Sequence, residues 1–163
     1  MRLPILLFVF ALSSFGAWSA GSSSSYNSLN KAERTYNQGV ELMKDKQFLD
    51  AEKKFRAALK RDKNWAQAHN NLAYTLRKQG ADHYNTALFH YNKAISIAPS
   101  LPEPYMYRGV LHVQMGNPSL ANDDLTKLRA LKSQLADELE FVIENGEEKA
   151  PERFFGVSEK VKG

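Results

Sequence analysis

The chain has 163 residues, a formal net charge of +4, 43% hydrophobic residues and no cysteine. That length suits one domain with a modest core. Without cysteine there is neither a disulfide framework nor a lipid-anchored lipoprotein, so packing alone must hold the fold. Charge is uneven along the chain. Residues 44–63 carry Lys44, Lys46, Lys53, Lys54, Arg56, Lys60, Arg61 and Lys63, whereas residues 137–152 carry Asp137, Glu138, Glu140, Glu144, Glu147, Glu148 and Glu152. One end is basic and the other acidic.

Residues 1–20 have the layout of a secretory signal peptide: Arg2, an apolar run over 3–12, then small residues from Ser13 to Ala20. Cuts after Ser19, Ala20 or Gly21 all fit, the second least well because of Trp18. The run falls short of the roughly 20 apolar residues of a membrane span, so no stable insertion is expected after cleavage. The expected address is export to a bacterial periplasm. Secretion, or tethering by an uncleaved signal, are the alternatives. Residues 21–29 are Ser-rich and read as a flexible linker, with helix expected from Ser28 or Asn30.

From there to residue 146 apolar residues recur at helical spacing. Ala32, Tyr36, Gly39, Val40 and Met43 mark a first helix. Phe48, Ala51, Phe55, Ala58 and Leu59 mark its partner. Ala68, Leu72, Ala73 and Leu76 begin a second pair, stopped by Gly80 and completed by Ala87, Leu88, Tyr91, Ala94 and Ile95 before Pro99. Pro102 and Pro104 open a third pair with Tyr105, Gly109, Val110 and Val113, and Pro118 opens its partner with Ala121, Leu125 and Leu128. Leu135, Leu139, Val142 and Ile143 give a seventh helix over 134–145. One face of it is acidic, as a lid over the apolar end of an array should be. Residues 147–163 lack periodicity and read as a disordered tail.

Gly39 and Ala73 stand 34 residues apart, as do Ala87 and Ala121, and the middle unit is two residues longer in its turn. Such a period means stacked helix pairs that bury their faces only against neighbours. Gly39, Ala73 and Gly109 would sit where first helices are approached closely, with Ala51, Ala87 and Ala121 playing the same part on second helices. Ala58 and Ala94 extend this set, and Phe55, Tyr91 and Leu125 would fill the wider gaps.

On these residues the chain resembles the tetratricopeptide repeat family over 32–132, with repeats at 32–65, 66–101 and 102–132. The resemblance implies an all-α solenoid of three helix-turn-helix repeats plus a C-terminal capping helix. Two departures stand out. Only Pro99 matches the repeat-ending proline, Lys63 and Ser133 taking its place elsewhere, and Leu128 replaces a small residue, which should loosen packing before the lid. The resemblance further implies a groove lined by first helices, here Tyr36, Val40, Met43, Asn70, Asn71, Tyr74, Arg77, Met106, Val110 and Val113. A subclass that grips a terminal carboxylate uses Lys, Asn and Arg where this chain has Tyr36, Val40, Asn71, Glu103 and Tyr107. Only the asparagine fits, which argues against such a clamp.

The expected function is therefore non-enzymatic: an exported adaptor or assembly factor holding another protein or peptide segment in its groove. A self-associating module that uses its ends is the alternative. The tyrosines at 36 and 74 either stack on a partner or pack between helices. The basic set Lys53, Lys54, Arg56, Lys60 and Arg61 reads as a solvated face, and export disfavours nucleic acid. His69, His83, His90 and His112 show no metal-ligand spacing. No catalytic constellation and no cofactor motif stands out. Arg153-Phe154-Phe155-Gly156 in the tail reads as a docking motif or as a segment that folds back on the array.

Overall fold

A computed structural model describes residues 22–149, with side chains from residue 30 onward. The expected signal segment at 1–20 and the tail beyond 149 lie outside the described residues. Among the described residues seven α-helices succeed one another in order: α1 (Ser22–Lys44), α2 (Phe48–Leu59), α3 (Ala66–Gln79), α4 (Tyr84–Ile97), α5 (Glu103–Gln114), α6 (Pro118–Ala130) and α7 (Leu135–Asn145). There is no strand among the described residues. Consecutive helices form antiparallel pairs, α1 with α2, α3 with α4 and α5 with α6. Each pair packs on the next, and α7 closes the stack against α5 and α6. The fold is an all-α solenoid of three helix pairs with a terminal helix.

α1 begins at Ser22, where composition suggested a linker to residue 29. Once the packed turns from Ala32 onward are formed, extending a helix backward adds one hydrogen bond per residue fixed. Serine resists that extension only weakly.

The turns explain the spacing of the units. In the first, Gln47 N–H donates to Leu42 O (2.8 Å) and Lys46 N–H to Met43 O (3.0 Å), with Lys46 in the left-handed region at φ 59°. In the third, Asn117 N–H donates to His112 O (2.8 Å) and Gly116 N–H to Val113 O (3.0 Å), with Gly116 at φ 76°. The same doubly bonded helix ending recurs after α6, where Ser133 N–H donates to Leu128 O (3.1 Å) and Lys132 N–H to Arg129 O (3.0 Å) with Lys132 at φ 53°. The middle unit departs from it: Gly80 takes φ 118°, and a 3₁₀ turn (Ala81–His83) absorbs the two additional residues.

The repeat-packing residues Ala51, Phe55, Ala58, Ala73, Ala87, Tyr91, Ala94, Ala121 and Leu125 are all buried. Pro99 lies just past α4, and its carbonyl accepts a hydrogen bond from Tyr105 Oη (3.0 Å), which ties the second pair to the third. Leu128 is fully buried in the same apolar cluster as Ala136, Leu139 and Val142. The loosening expected there is absent, because the lid supplies apolar side chains large enough to cover it.

Gly39 and Gly109 are the notches of the stack. A Cβ on Gly39 would stand 2.8 Å from the Phe55 ring, and one on Gly109 would stand 2.6 Å from Leu139 of α7. The first notch is filled from within its own pair, the second from the lid. On the outside, Arg108 grips Asp124 with Nη2 (2.6 Å) and Nε (3.1 Å) and reaches Asn92 with Nη1 (2.6 Å). One guanidinium thus joins α4, α5 and α6. Asp124 is buried, which alone would raise its carboxyl pKa, and Arg108 opposes that rise.

Gly39→Ala tests the notch. Alanine gains about 1 kcal/mol of helix propensity, while a methyl forced against a buried ring costs about 1–3 kcal/mol. The expected result is a net loss of about 1 kcal/mol in denaturant unfolding. A gain would show that Phe55 does not define the approach of α1 to α2.

Candidate protein-binding face

The first helices α1, α3 and α5 present one side of each to a common face. An aromatic and amide row runs across it. Tyr36 lies against Trp65 (ring centroids 4.5 Å) and Phe55 (5.6 Å). Its hydroxyl accepts a hydrogen bond from Asn71 Nδ2 (2.9 Å), and Asn70 Nδ2 donates to Asn71 Oδ1 (3.1 Å). Tyr74 meets Tyr107 edge to face at 4.9 Å. These side chains sit where they do because residues three and four apart share one side of a helix.

Arg77 is the buried cation of the face, with only 3% of its surface exposed. Its guanidinium lies over the rings of Tyr107 (5.0 Å) and Tyr74 (5.3 Å), donates through Nη1 to Gln114 Oε1 (3.2 Å), and pairs through Nη2 with Glu148. Burial pulls the guanidinium pKa down, but Glu148 and the surrounding tyrosines more than restore it. Glu148 also stands 3.7 Å from Lys78 Nζ. A cation this deep needs its counter-charge, and Glu148 supplies it from beyond α7.

Of the ten residues expected to line a groove, Tyr36, Val40, Met43, Asn70, Asn71, Tyr74, Arg77, Met106 and Val110 are buried, and Val113 is half-buried. The tyrosines pack between helices here. The face is closed, not an open trough.

An open cleft lies elsewhere, between α2, α3 and α4. It encloses about 560 Å³ and is lined by Arg56, Lys60, Lys93, His69, His90 and the exposed ring of Phe89 among others. At its floor His69 Nδ1 and His90 Nδ1 stand 2.9 Å apart, and His69 Nε2 stands 3.1 Å from Lys63 O. A carbonyl only accepts, so His69 Nε2 carries a proton. Burial favours the neutral form of both rings, and with His69 neutral His90 Nδ1 donates to His69 Nδ1. Burial depresses both histidine pKa values. That of His90 falls to about 4, with His69 and Arg56 adding to the effect and Glu52 opposing it. Nothing in the sequence pairs these histidines, which are 21 positions apart. Among the described residues no group of three or more His, Asp or Glu side chains converges as metal ligands. No described helix is long and apolar enough to cross a membrane.

Solved structures share this architecture. The Arabidopsis OM64 TPR domain superposes with a TM-score of 0.66 at 19% identity, over 74% of this chain and 99% of that one. The fold is a tetratricopeptide-like helical solenoid. PcrH, solved in complex with the chaperone binding region of PopD, gives 0.64 at 21% identity over 71% and 90%. The Yersinia enterocolitica type III secretion translocator chaperone SycD gives 0.64 at 16% identity over 71% and 89%. Neither a family model nor a curated protein matches the chain.

The histidine pair binds protons less readily folded than unfolded, so its stabilising contribution is full above the ordinary histidine pKa near 6.5 and falls away as pH drops from there toward 4. A His90→Gln variant should lose part of that pH dependence in thermal melts between about pH 7 and 4.5. An unaltered slope would contradict the neutral pair. Separately, Glu148→Ala strips the counter-charge from buried Arg77 and should cost about 3 kcal/mol in denaturant unfolding. A loss below about 0.5 kcal/mol would mean the pair is solvated like a surface bridge.

Proposed function

We propose that this chain is a non-enzymatic protein-binding module that holds a segment of another polypeptide against the first-helix face of α1, α3 and α5. The carrying observation is the row Tyr36, Asn70, Asn71, Tyr74 and Tyr107. These groups are buried in the described structure, and a partner segment that opened the face would meet aromatic contact area and amide hydrogen-bonding groups there. The similar structures support the reading. PcrH is described with chaperone binding regions of PopD and PopB, and another neighbour is a CopN–Scc3 complex. Their low identity leaves the partner of this chain open to chemistry alone.

The exported adaptor or assembly-factor role belongs to the same proposal. It rests on the arginine, apolar run and small residues of 1–20. The face needs no cofactor to act, since its groups serve recognition and none is poised as a nucleophile beside a base.

Photo-crosslinking from two positions tests the binding reading. A photoreactive residue at Val113, half-buried on the face, should give an adduct with a distinct protein in cells. The same residue at Leu49, which is 67% exposed on α2, should give none. Adducts from 49 alone would move the binding surface to the second helices.

A further inference from the structure

The second helices of successive units do not pack on one another. α2 and α4 each pack on α3, and α4 and α6 each pack on α5, so a gap opens on the outside of the stack at each step. The gap between α4 and α6 is closed by Arg108, whose guanidinium reaches Asn92 and Asp124. The repeat register gives the matching residues of the gap between α2 and α4. Counting back 36 residues from Asn92 gives Arg56, 36 from Arg108 gives Leu72, and 34 from Asp124 gives His90. All three line the open cleft of about 560 Å³. Here a leucine and a neutral histidine stand where the next unit has a bridging cation and its acid, and the gap stays open.

The cleft holds cations without acids. Arg56 and Lys60 stand one turn apart on the α2 wall, and Lys93 stands one turn from the exposed ring of Phe89 on the α4 wall. Lys63 lies in the turn after α2, and Leu59 and Leu72 make the lining between the walls apolar. None of the lining residues is a carboxylate. Of the acids nearby, Glu52 is engaged by Arg56 Nε (2.7 Å) and Gln79 Nε2 (2.8 Å), and Asp62 accepts the Asn64 N–H (2.9 Å). Lys60, Lys63 and Lys93 form no ion pair among the described residues. The two histidines feel this charge. Burial is the main cause of their low pKa values, Lys93 lowers that of His69 further, and His69 and Arg56 lower that of His90. Like charges gathered beside apolar surface repel until an anion joins them.

We propose that the cleft between α2, α3 and α4 is a second docking site, for an acidic segment of another polypeptide that carries an aromatic side chain. A carboxylate of that segment supplies the acid that Asp124 supplies in the next unit, answered by Arg56, Lys60 and Lys93. Its ring packs on Phe89 beside Leu72, since offset or edge-on contact is the favoured arrangement of aromatic rings. Exposed charge pairs of this kind confer steering and specificity more than affinity, so binding is weak and falls with added salt. The site lies on the second helices, apart from the face of α1, α3 and α5, and stands whether or not that face binds a partner.

The test titrates the full chain into a labelled peptide of glutamates flanking one central phenylalanine and follows anisotropy at low salt. Lys60→Glu/Lys93→Glu should weaken binding about ten-fold. Replacing the glutamates of the peptide by glutamine, or its phenylalanine by alanine, should each cost about as much. Phe89→Ser should weaken the phenylalanine peptide and leave the alanine one unaffected. The substituted residues are exposed, so thermal melts should stay as they are. A peptide with lysine in place of glutamate should prefer the charge-reversed chain. Equal binding by the unaltered and charge-reversed chains, or no binding at about millimolar chain, would overturn the proposal. Self-association at low salt that the charge reversal abolishes would overturn it too, since a second copy would then be the occupant. These readouts involve the cleft alone, so their failure is distinct from an absence of adducts at Val113.

Discussion

A glycine opposite a bulky side chain sets how closely the helices approach at both ends of this solenoid. Gly39 admits the ring of Phe55, and Gly109 admits Leu139. Protein interiors are packed near crystal density, so a methyl at either site has nowhere to go without displacing a neighbour. The first notch sets how closely α2 packs on α1, and the second how closely α7 packs on α5. Because each unit buries its apolar side only against the next, the last one needs a lid, and α7 is both lid and filler of the Gly109 notch. The face formed by α1, α3 and α5 is a consequence of that stacking.

Two electrostatic arrangements give the solenoid its two sides. On the outside, Arg108 bridges three helices through Asp124 and Asn92. On the face, Arg77 is held among tyrosines and answered by Glu148. A buried cation of this kind adds little net stability relative to an apolar filler, but it penalises strongly any arrangement that removes its partner. The Arg77 pair thus fixes where the chain goes after α7. It couples the end of the solenoid to its middle.

Much of this was legible in the residues. The helical stripes from Ala32 to Ile143, the stop at Gly80, the proline starts and the lid all arise from spacing and local chemistry, because they depend on neighbours three and four positions away. The two additional residues of the middle turn became the 3₁₀ turn at Ala81–His83. The long-range pairings were hidden. Arg77 and Glu148 are 71 positions apart, and His69 and His90 are 21 apart. Neither pair leaves a periodic mark. The row from Tyr36 to Val110 was legible as a set of residues sharing one face, but its burial was not, since periodicity says which residues share a face and not what covers it. The start of α1 at Ser22 was missed because serine composition speaks for a linker when no packed helix lies beyond it.

Hydroxyl-radical footprinting of the full chain is the sharpest probe of the closed face, since methionine and aromatic side chains oxidise readily when solvent reaches them. Met43 and Met106, 0% and 3% exposed, should resist oxidation, while Phe89, 62% exposed on α4, should be modified quickly. Oxidation of Met43 and Met106 as fast as that of Phe89 would contradict a covered face and leave an open trough in its place.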